Sequence, residues 1–413
     1  MKPNILYYSD CSFFAGCENM IANFLNDPIL HADFLMSFAY NYSEKYEQGL
    51  NSRVSNTDYK KFPLRLMKQP PYNKPVNSAL IWSIAHKVFY AFYLPLYKYF
   101  SILINTILLF RFFNKQKIDI LHINNGGYPA AYSCYSAVIA GKLVGVNKII
   151  YVVNNSAADY KHPYRWLDYP LDFFIKKWVT IFITGSAHAG ERLKKILNLN
   201  AKKYLTINNG IIRRAITLEK EEFKTKYAIP NNRLLVSVVA NLEKRKGHIF
   251  LLESILQMKN KYEGKLIPLF IFEGSGPEKN SLETYIAKNE LKGDVVMIDR
   301  VPQIFDLINA SDFIALPSIS DEDFPNIVIE AMSLGKPVIG TKLAGIPEQI
   351  ENGKSGIVVN PKSSQELEIA IMKLASNPSL IQQISIEAKS RFDNLFEKSI
   401  SIKKYQRLYQ SLI

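Results

Sequence analysis

Two glutamates, Glu322 and Glu330, stand with seven residues between them in the string EDFPNIVIE, and a run of three cations, Lys244 to Lys246, precedes Gly247. A carboxylate accepts two hydrogen bonds, so it is a natural partner for the vicinal diol of a ribose or a sugar ring. A lysine or arginine beside it can neutralise a diphosphate. The run FIALPS reads as a strand ending at Pro317 and Ser318, followed by the acidic loop SDED and then Phe324, Pro325 and Asn326. Proline suits a first helical turn, and Gly335 before Pro337 is a stop signal, so a helix is expected from about Pro325 to Leu334. Its first turn offers unpaired N–H groups and a positive dipole end to a phosphate or a sugar hydroxyl. Glu322 then lies in the loop and Glu330 more than one turn into the helix, where they can serve opposite ends of one ligand.

Short apolar runs alternate with helix-period segments on both sides of this string. LLVSVVANL, LIPLFIFEG, VVMID, FIALPS, PVIGT and GIVVN are each followed by an amphipathic stretch. The first half shows the same alternation less regularly, in NILYYS, DILHINN, KIIYVVNN, TIFITGS and YLTINNG. Such alternation marks βαβ units and a parallel sheet. A polar stretch from Ile212 to Arg233 separates the halves. The expectation is α/β, with two Rossmann-like doubly wound domains and ligands bound outside the carboxyl ends of their strands.

At 413 residues the chain exceeds the roughly 250 to 300 at which single cores stop growing, which also argues for two domains. With 48% apolar and 21% charged residues it is a globular composition. The net charge of +14 favours an anionic partner, and residues 1–200 carry most of the surplus, with 22 basic against 12 acidic groups. Cys11, Cys17 and Cys134 form neither an even framework nor a CxxC pair, so neither a disulfide scaffold nor a zinc site is indicated. The first ten residues lack the apolar core of a signal peptide, and a cytoplasmic location is expected. No HExxH or comparable spacing joins the six histidines, so no metal is expected, and His122 reads as a buried structural residue as readily as a ligand.

The string EDFPNIVIEAMSLGKPVIGT resembles, in detail, the signature of the retaining glycosyltransferases of family 4 with the GT-B fold, the glycosyl transferases group 1. AGCEN, INNGI at 207–211, KRKGH at 244–248, FEGSGPE at 272–278 and AGIPE at 344–348 resemble further family segments in the same order. The resemblance implies two domains facing each other across a cleft. The acceptor-side domain would be 1–212, with a basic aromatic insert at 53–117; the nucleotide-sugar donor domain would be 213–390; a C-terminal helix at 391–413 would pack back on the first domain. It assigns Glu322 to the donor sugar hydroxyls near the anomeric centre, the backbone of Phe324, Pro325 and Asn326 to sugar and phosphate, and Glu330 to the ribose diol. Gly16 would approach the donor phosphates, and Lys246 would neutralise the leaving diphosphate. Two departures stand out. Asn241 occupies the place of a usual arginine, leaving Arg245 to supply the missing cation, and Asn154 replaces a usual donor-site histidine. GSGP at 274–277 reads as a shape-setting turn.

The implied activity is a retaining hexosyltransferase moving a sugar from a nucleotide-diphosphate sugar to a glycan or lipid-linked acceptor in bacterial surface polysaccharide synthesis, with no cofactor or metal. A nucleotide-sugar epimerase of the same fold and a non-catalytic glycosyltransferase partner subunit are the alternatives. A glycosidase also uses two carboxylates but has no use for Lys246 beside a phosphate cradle. No nucleic-acid motif accompanies the charge. Between Arg53 and Lys117 there are 11 basic residues and one acid, Asp58, and residues 78–113 are rich in Phe and Tyr. This is the profile of a helix lying in an anionic membrane interface, on the inner face of the cell membrane, and equally that of a helix packed on the first domain's core. Lys98 and Arg111 bracket too short an uncharged run for a span.

Overall fold

The computed structural model describes residues 2–11, 13–14, 16–68, 80–161, 165–264 and 267–413, with backbone alone over 80–92. The chain divides into two compact units, one made of Met1–Gly185, Ala189–Ile207 and Ile402–Ile413, the other of Ser186–His188 and Asn208–Ser401.

The first unit holds a parallel seven-stranded sheet: β1 (Asn4–Ser9), β2 (Leu35–Asn41), β3 (Lys60–Leu64), β4 (Ile120–Asn125), β5 (Ile149–Val153), β6 (Ile181–Thr184) and β7 (Tyr204–Thr206), in the order β3-β2-β1-β4-β5-β6-β7. Its central strands are apolar at successive positions because both faces are covered. Leu6, Tyr8, Leu121 and Ile123 pack beneath the helices Leu80–Phe113 and Ser133–Leu143, while Ile5, Tyr7 and Ile120 face the opposite layer with Phe24 and the C-terminal Tyr405 and Tyr409. His122 sits in that second layer, buried, with its Nδ1 2.8 Å from the Tyr409 hydroxyl. Burial pushes its pKa down to about 3.

The second unit holds a parallel six-stranded sheet: β8 (Leu235–Val239), β9 (Leu269–Glu273), β10 (Val295–Ile298), β11 (Phe313–Leu316), β12 (Val338–Thr341) and β13 (Ile357–Val359), in the order β10-β9-β8-β11-β12-β13. Each sheet reverses its winding once, between β1 and β4 and between β8 and β11. These are the points where helices switch faces and leave a crevice at the strands' carboxyl ends.

Four particulars differ from the sequence reading. Strands β2 and β3 complete the first sheet, so residues 60–64 of the supposed 53–117 insert are an edge strand, with Pro63 where an edge tolerates it. The strand before INNGI stops at Thr206. The two units meet in sequence at Ile207 and Asn208 rather than at 212. Residues 391–395 close the helix Pro378–Leu395, and the next helix, Lys398–Leu412, begins after a break, so the part assigned to the first unit starts at Ile402.

Candidate functional site

The chemistry collects at the winding reversal of the second sheet. After β8 the chain runs through Asn241 to a short helical turn, Lys244–Lys246; after β11 it runs from Pro317 to the acidic loop. Gly247 has φ +70°, and a Cβ there would meet the Pro317 carbonyl oxygen at 2.0 Å, so only glycine lets the two loops approach this closely. The Ile319 N–H donates to the Arg245 carbonyl at 2.8 Å and locks the approach.

Lys246 and Glu322, 76 residues apart in sequence, thereby touch: the ammonium donates to Glu322 Oε1. The same oxygen accepts from the Ser318 hydroxyl at 2.9 Å, and Arg245 lies 3.8 Å from it. The Glu322 side chain is only 8% exposed, and a carboxylate so buried persists as a charge only when paired. Arg245 is itself held by Glu243 at 2.6 Å and donates to the Asp321 carbonyl at 3.1 Å.

The loop then enters the helix Asn326–Ser333 with Pro325 as its cap residue. Phe324 is buried, its ring 5.7 Å from that of Phe396. The AGIPE turn supports the entry: the Gly345 N–H donates to the Asp323 carbonyl at 2.9 Å and the Gln349 amide to the Pro325 carbonyl at 3.0 Å. Burial, with the charges of Glu348 and Glu322 adding, pushes the Asp323 carboxyl up to about 7. The half-buried Glu330 sits one turn into the helix.

Asn241 is not isolated where the resemblance expects an arginine. Its Oδ1 accepts from Arg300 at 2.8 Å, and its amide donates to Glu243 at 3.3 Å. Arg300 brings a guanidinium from the loop after β10, a residue the sequence reading passed over because nothing in its spacing ties it to β8. Gly274, with φ +144°, would place a Cβ 2.1 Å from the Ala240 carbonyl, so GSGP is a close-packing turn against the same loop.

Gly16 and Asn154 belong to the first unit, near its own winding reversal. Gly16 opens the short helical turn Gly16–Glu18. The amide of Asn154 donates to Asn124 Oδ1 at 2.7 Å and to the Asn125 carbonyl at 2.9 Å. Glu18 is fully buried and accepts from Ser9 at 2.7 Å, Tyr46 at 3.0 Å and Asn124 at 3.3 Å; burial outweighs these bonds and raises its pKa. Cys11 and Cys17, unremarkable by spacing, bring their sulfurs to 3.8 Å and with Glu18 place three ligand atoms within 4.8 Å of one another.

Residues 219–391 match the family model of the glycosyl transferases group 1. The match lies wholly within the second unit. The capsular polysaccharide biosynthesis glycosyltransferase CapM of Staphylococcus aureus is 25% identical over 251 residues, 58% of this chain and 65% of CapM. The putative teichuronic acid biosynthesis glycosyltransferase TuaC of Bacillus subtilis is 27% identical over 238 residues, 55% of this chain and 57% of TuaC. The chain thus spans less than two thirds of either relative. Anabaena HepE in complex with UDP superposes with a TM-score of 0.76 at 16% identity, over 99% of this chain and 100% of HepE. A glycosyltransferase from Rickettsia africae superposes with a TM-score of 0.77 at 18% identity, over 100% of this chain and 98% of that one. The fold is GT-B. The loops bearing Lys246 and Glu322 both fall inside the matched residues.

Proposed function

We propose that the chain is a retaining glycosyltransferase that moves a sugar from a nucleotide-diphosphate sugar to a glycan or lipid-linked acceptor in bacterial surface polysaccharide synthesis, working as a peripheral protein at the cytoplasmic face of the membrane. The contact of Lys246 with Glu322 at the β8/β11 reversal, one loop from the start of the helix Asn326–Ser333, carries this reading. A cation, a buried carboxylate and a helix N-terminus on the edge of a parallel sheet match a ligand with a diphosphate at one end and a hydroxyl-bearing ring at the other. HepE structures hold UDP and UDP-glucose, and the named relatives serve capsular and teichuronic acid biosynthesis, which supports the donor class and the setting.

In this reading Lys246, with Arg245 and Arg300 nearby, stabilises the charge that develops on the leaving diphosphate as the sugar becomes oxocarbenium-like. Glu322 holds sugar hydroxyls and Glu330 the ribose diol. The leaving phosphate oxygen takes the acceptor's proton on the face it departs from, so the anomeric configuration is kept without a protein nucleophile. The acceptor is assigned to the first unit, where a cavity of about 310 Å³ at the carboxyl ends of β1 and β2 is lined by Asp10, Asn41, Ser43, Lys68, Asn105 and Ser133. Met67, Ala130, Ala131 and Tyr132 also line it, so the cavity pairs apolar surface with groups that can bond a ligand's hydroxyls.

A thermal-shift screen of nucleoside diphosphates and their sugars tests the donor site. A nucleoside diphosphate should raise the melting midpoint, and Glu330→Ala should weaken that binding at least about ten-fold, as expected for two lost hydrogen bonds to a charged group. If no nucleoside diphosphate binds, the chain is a non-catalytic partner; if the donor sugar is altered with no acceptor present, it is an epimerase.

A further inference from the structure

The helix Leu80–Phe113 is two-faced in an unusual sense. One face, with Lys98, Ser101, Ile102, Asn105, Leu109 and Phe113, is buried in the first unit. The other face is also apolar. Leu96, Phe100, Leu103, Ile107 and Phe110 recur in steps of four and three, which is one stripe of a 3.6-residue helix, and each is between 37% and 70% exposed.

A second apolar ridge stands on an element tied to this helix at Lys98 and Tyr99 from a distant part of the sequence. Trp166, Tyr169, Phe173 and Phe174, at the start of and along the helix Tyr169–Trp178, are all exposed. Beneath them lies a buried ionic network. The Lys98 ammonium donates to Asp168, Arg165 binds Asp168 at 3.3 Å and Asp172 at 2.7 Å, and the Tyr99 hydroxyl donates to the Leu167 carbonyl at 2.7 Å. Charges so desolvated hold one geometry or none, so the network pins the turn bearing Trp166 to the long helix at Lys98 and Tyr99. Large apolar side chains held rigidly outward on two joined elements form a patch that calls for a partner.

The surrounding charge selects the partner. The helix contains no acidic residue. Exposed Arg111 stands in its last turn, exposed Lys115 and Lys117 follow its end, and exposed Arg65 and Lys68 stand beside its middle, where Asn105 binds both the N–H and the carbonyl of Met67 at 2.8 and 3.1 Å and Tyr97 donates to the Lys68 carbonyl at 2.9 Å. Two copies of such a surface would bring like charges together, whereas an anionic bilayer supplies both an apolar interior edge and the opposite charge.

We infer that the stripe Leu96–Phe110 and the ridge Trp166–Phe174 together form a docking surface for an anionic lipid bilayer, with the aromatic ridge at headgroup level and the basic residues on phosphate. The inference rests on the membrane-held acceptor of the proposed function and not on the donor chemistry.

Co-sedimentation of the full chain with phosphatidylcholine vesicles, with and without phosphatidylglycerol, tests it. Binding is expected only with phosphatidylglycerol and is expected to fall as salt rises. The triple variant Leu96→Ser, Leu103→Ser, Ile107→Ser and, separately, the double variant Trp166→Ser, Phe173→Ser should each bind at least about ten-fold more weakly. All five positions are exposed, so melting midpoints should stay near that of the parent, and nucleoside diphosphate binding in the same samples should be unchanged. Absence of binding to anionic vesicles at low salt, or equal binding by parent and variants, overturns the inference. So does a parent chain that self-associates in gel filtration while its variants do not, since the patch then belongs to a second copy.

Discussion

The two sheets reverse their winding at equivalent places and do opposite things there. At the β1/β4 reversal a glutamate, Glu18, is fully buried among neutral donors, and burial drives it toward its protonated form. At the β8/β11 reversal a glutamate nearly as buried, Glu322, is met by the Lys246 ammonium with a guanidinium 3.8 Å away. The topology supplies a crevice in both cases. What differs is whether the lining answers a carboxyl with hydroxyls and amides, which ties loops together, or with cations, which leaves charge in place to meet an anionic ligand.

The widest separation between the two sites should appear with Lys246→Ala. Removing the cation should lower sugar transfer from a nucleotide donor by about 100- to 1000-fold, the usual cost of deleting a group that stabilises developing charge. Melting measurements should show a much smaller change than turnover does, and a variant with unimpaired transfer would erase the distinction.

Glu18 probes the other side. Glu18→Gln keeps the shape and an acceptor without the charge, and calorimetry should find it within about 1 kcal/mol of the parent, whereas Glu18→Ala strands the Ser9, Tyr46 and Asn124 donors at a cost of about 2 to 3 kcal/mol. A large loss for Glu18→Gln would mean the carboxyl acts as a charge after all.

The smallest effect concerns pH. His122 is pushed to about 3 from an ordinary value of 6.5, so burial keeps it neutral. A depressed folded-state pKa means that the unfolded chain binds the proton first. The stability due to a neutral His122 is therefore full above pH 6.5 and declines as pH falls toward 3, by about 1 to 2 kcal/mol between pH 6.5 and 5. His122→Phe should flatten that part of the stability profile. An unchanged slope in the variant would show that other groups set it.

Much of the second unit was legible in sequence because each of its six strands is a short apolar run closed by a turn signal. β2 and β3 were harder: LMSFAYN carries Ser and Asn among aromatics, and KKFPL is basic and contains proline, as suits the edge strand that β3 is. Lys246 and Glu322 each showed in a motif, but their contact did not, since spacing along the chain says nothing about two loops brought together by β8 and β11 as sheet neighbours. Arg300 was invisible for the same reason. The Cys11 and Cys17 pair escaped because cysteine arithmetic looks for shorter or repeated spacings. Composition marked residues 78–113 as apolar, aromatic and basic; only the fold tells which residues of the helix are buried and which face outward.

Tyr409 completes the layer around His122 although 287 residues separate them. On the ribosome, β1 and β4 emerge early, yet the face that carries Tyr7, Phe24 and His122 stays uncovered until Ile402, Tyr405 and Tyr409 have been made. The second unit has all its strands out before then and is free to fold while the first is still waiting. Of the two units, the amino-terminal one is the later to be finished.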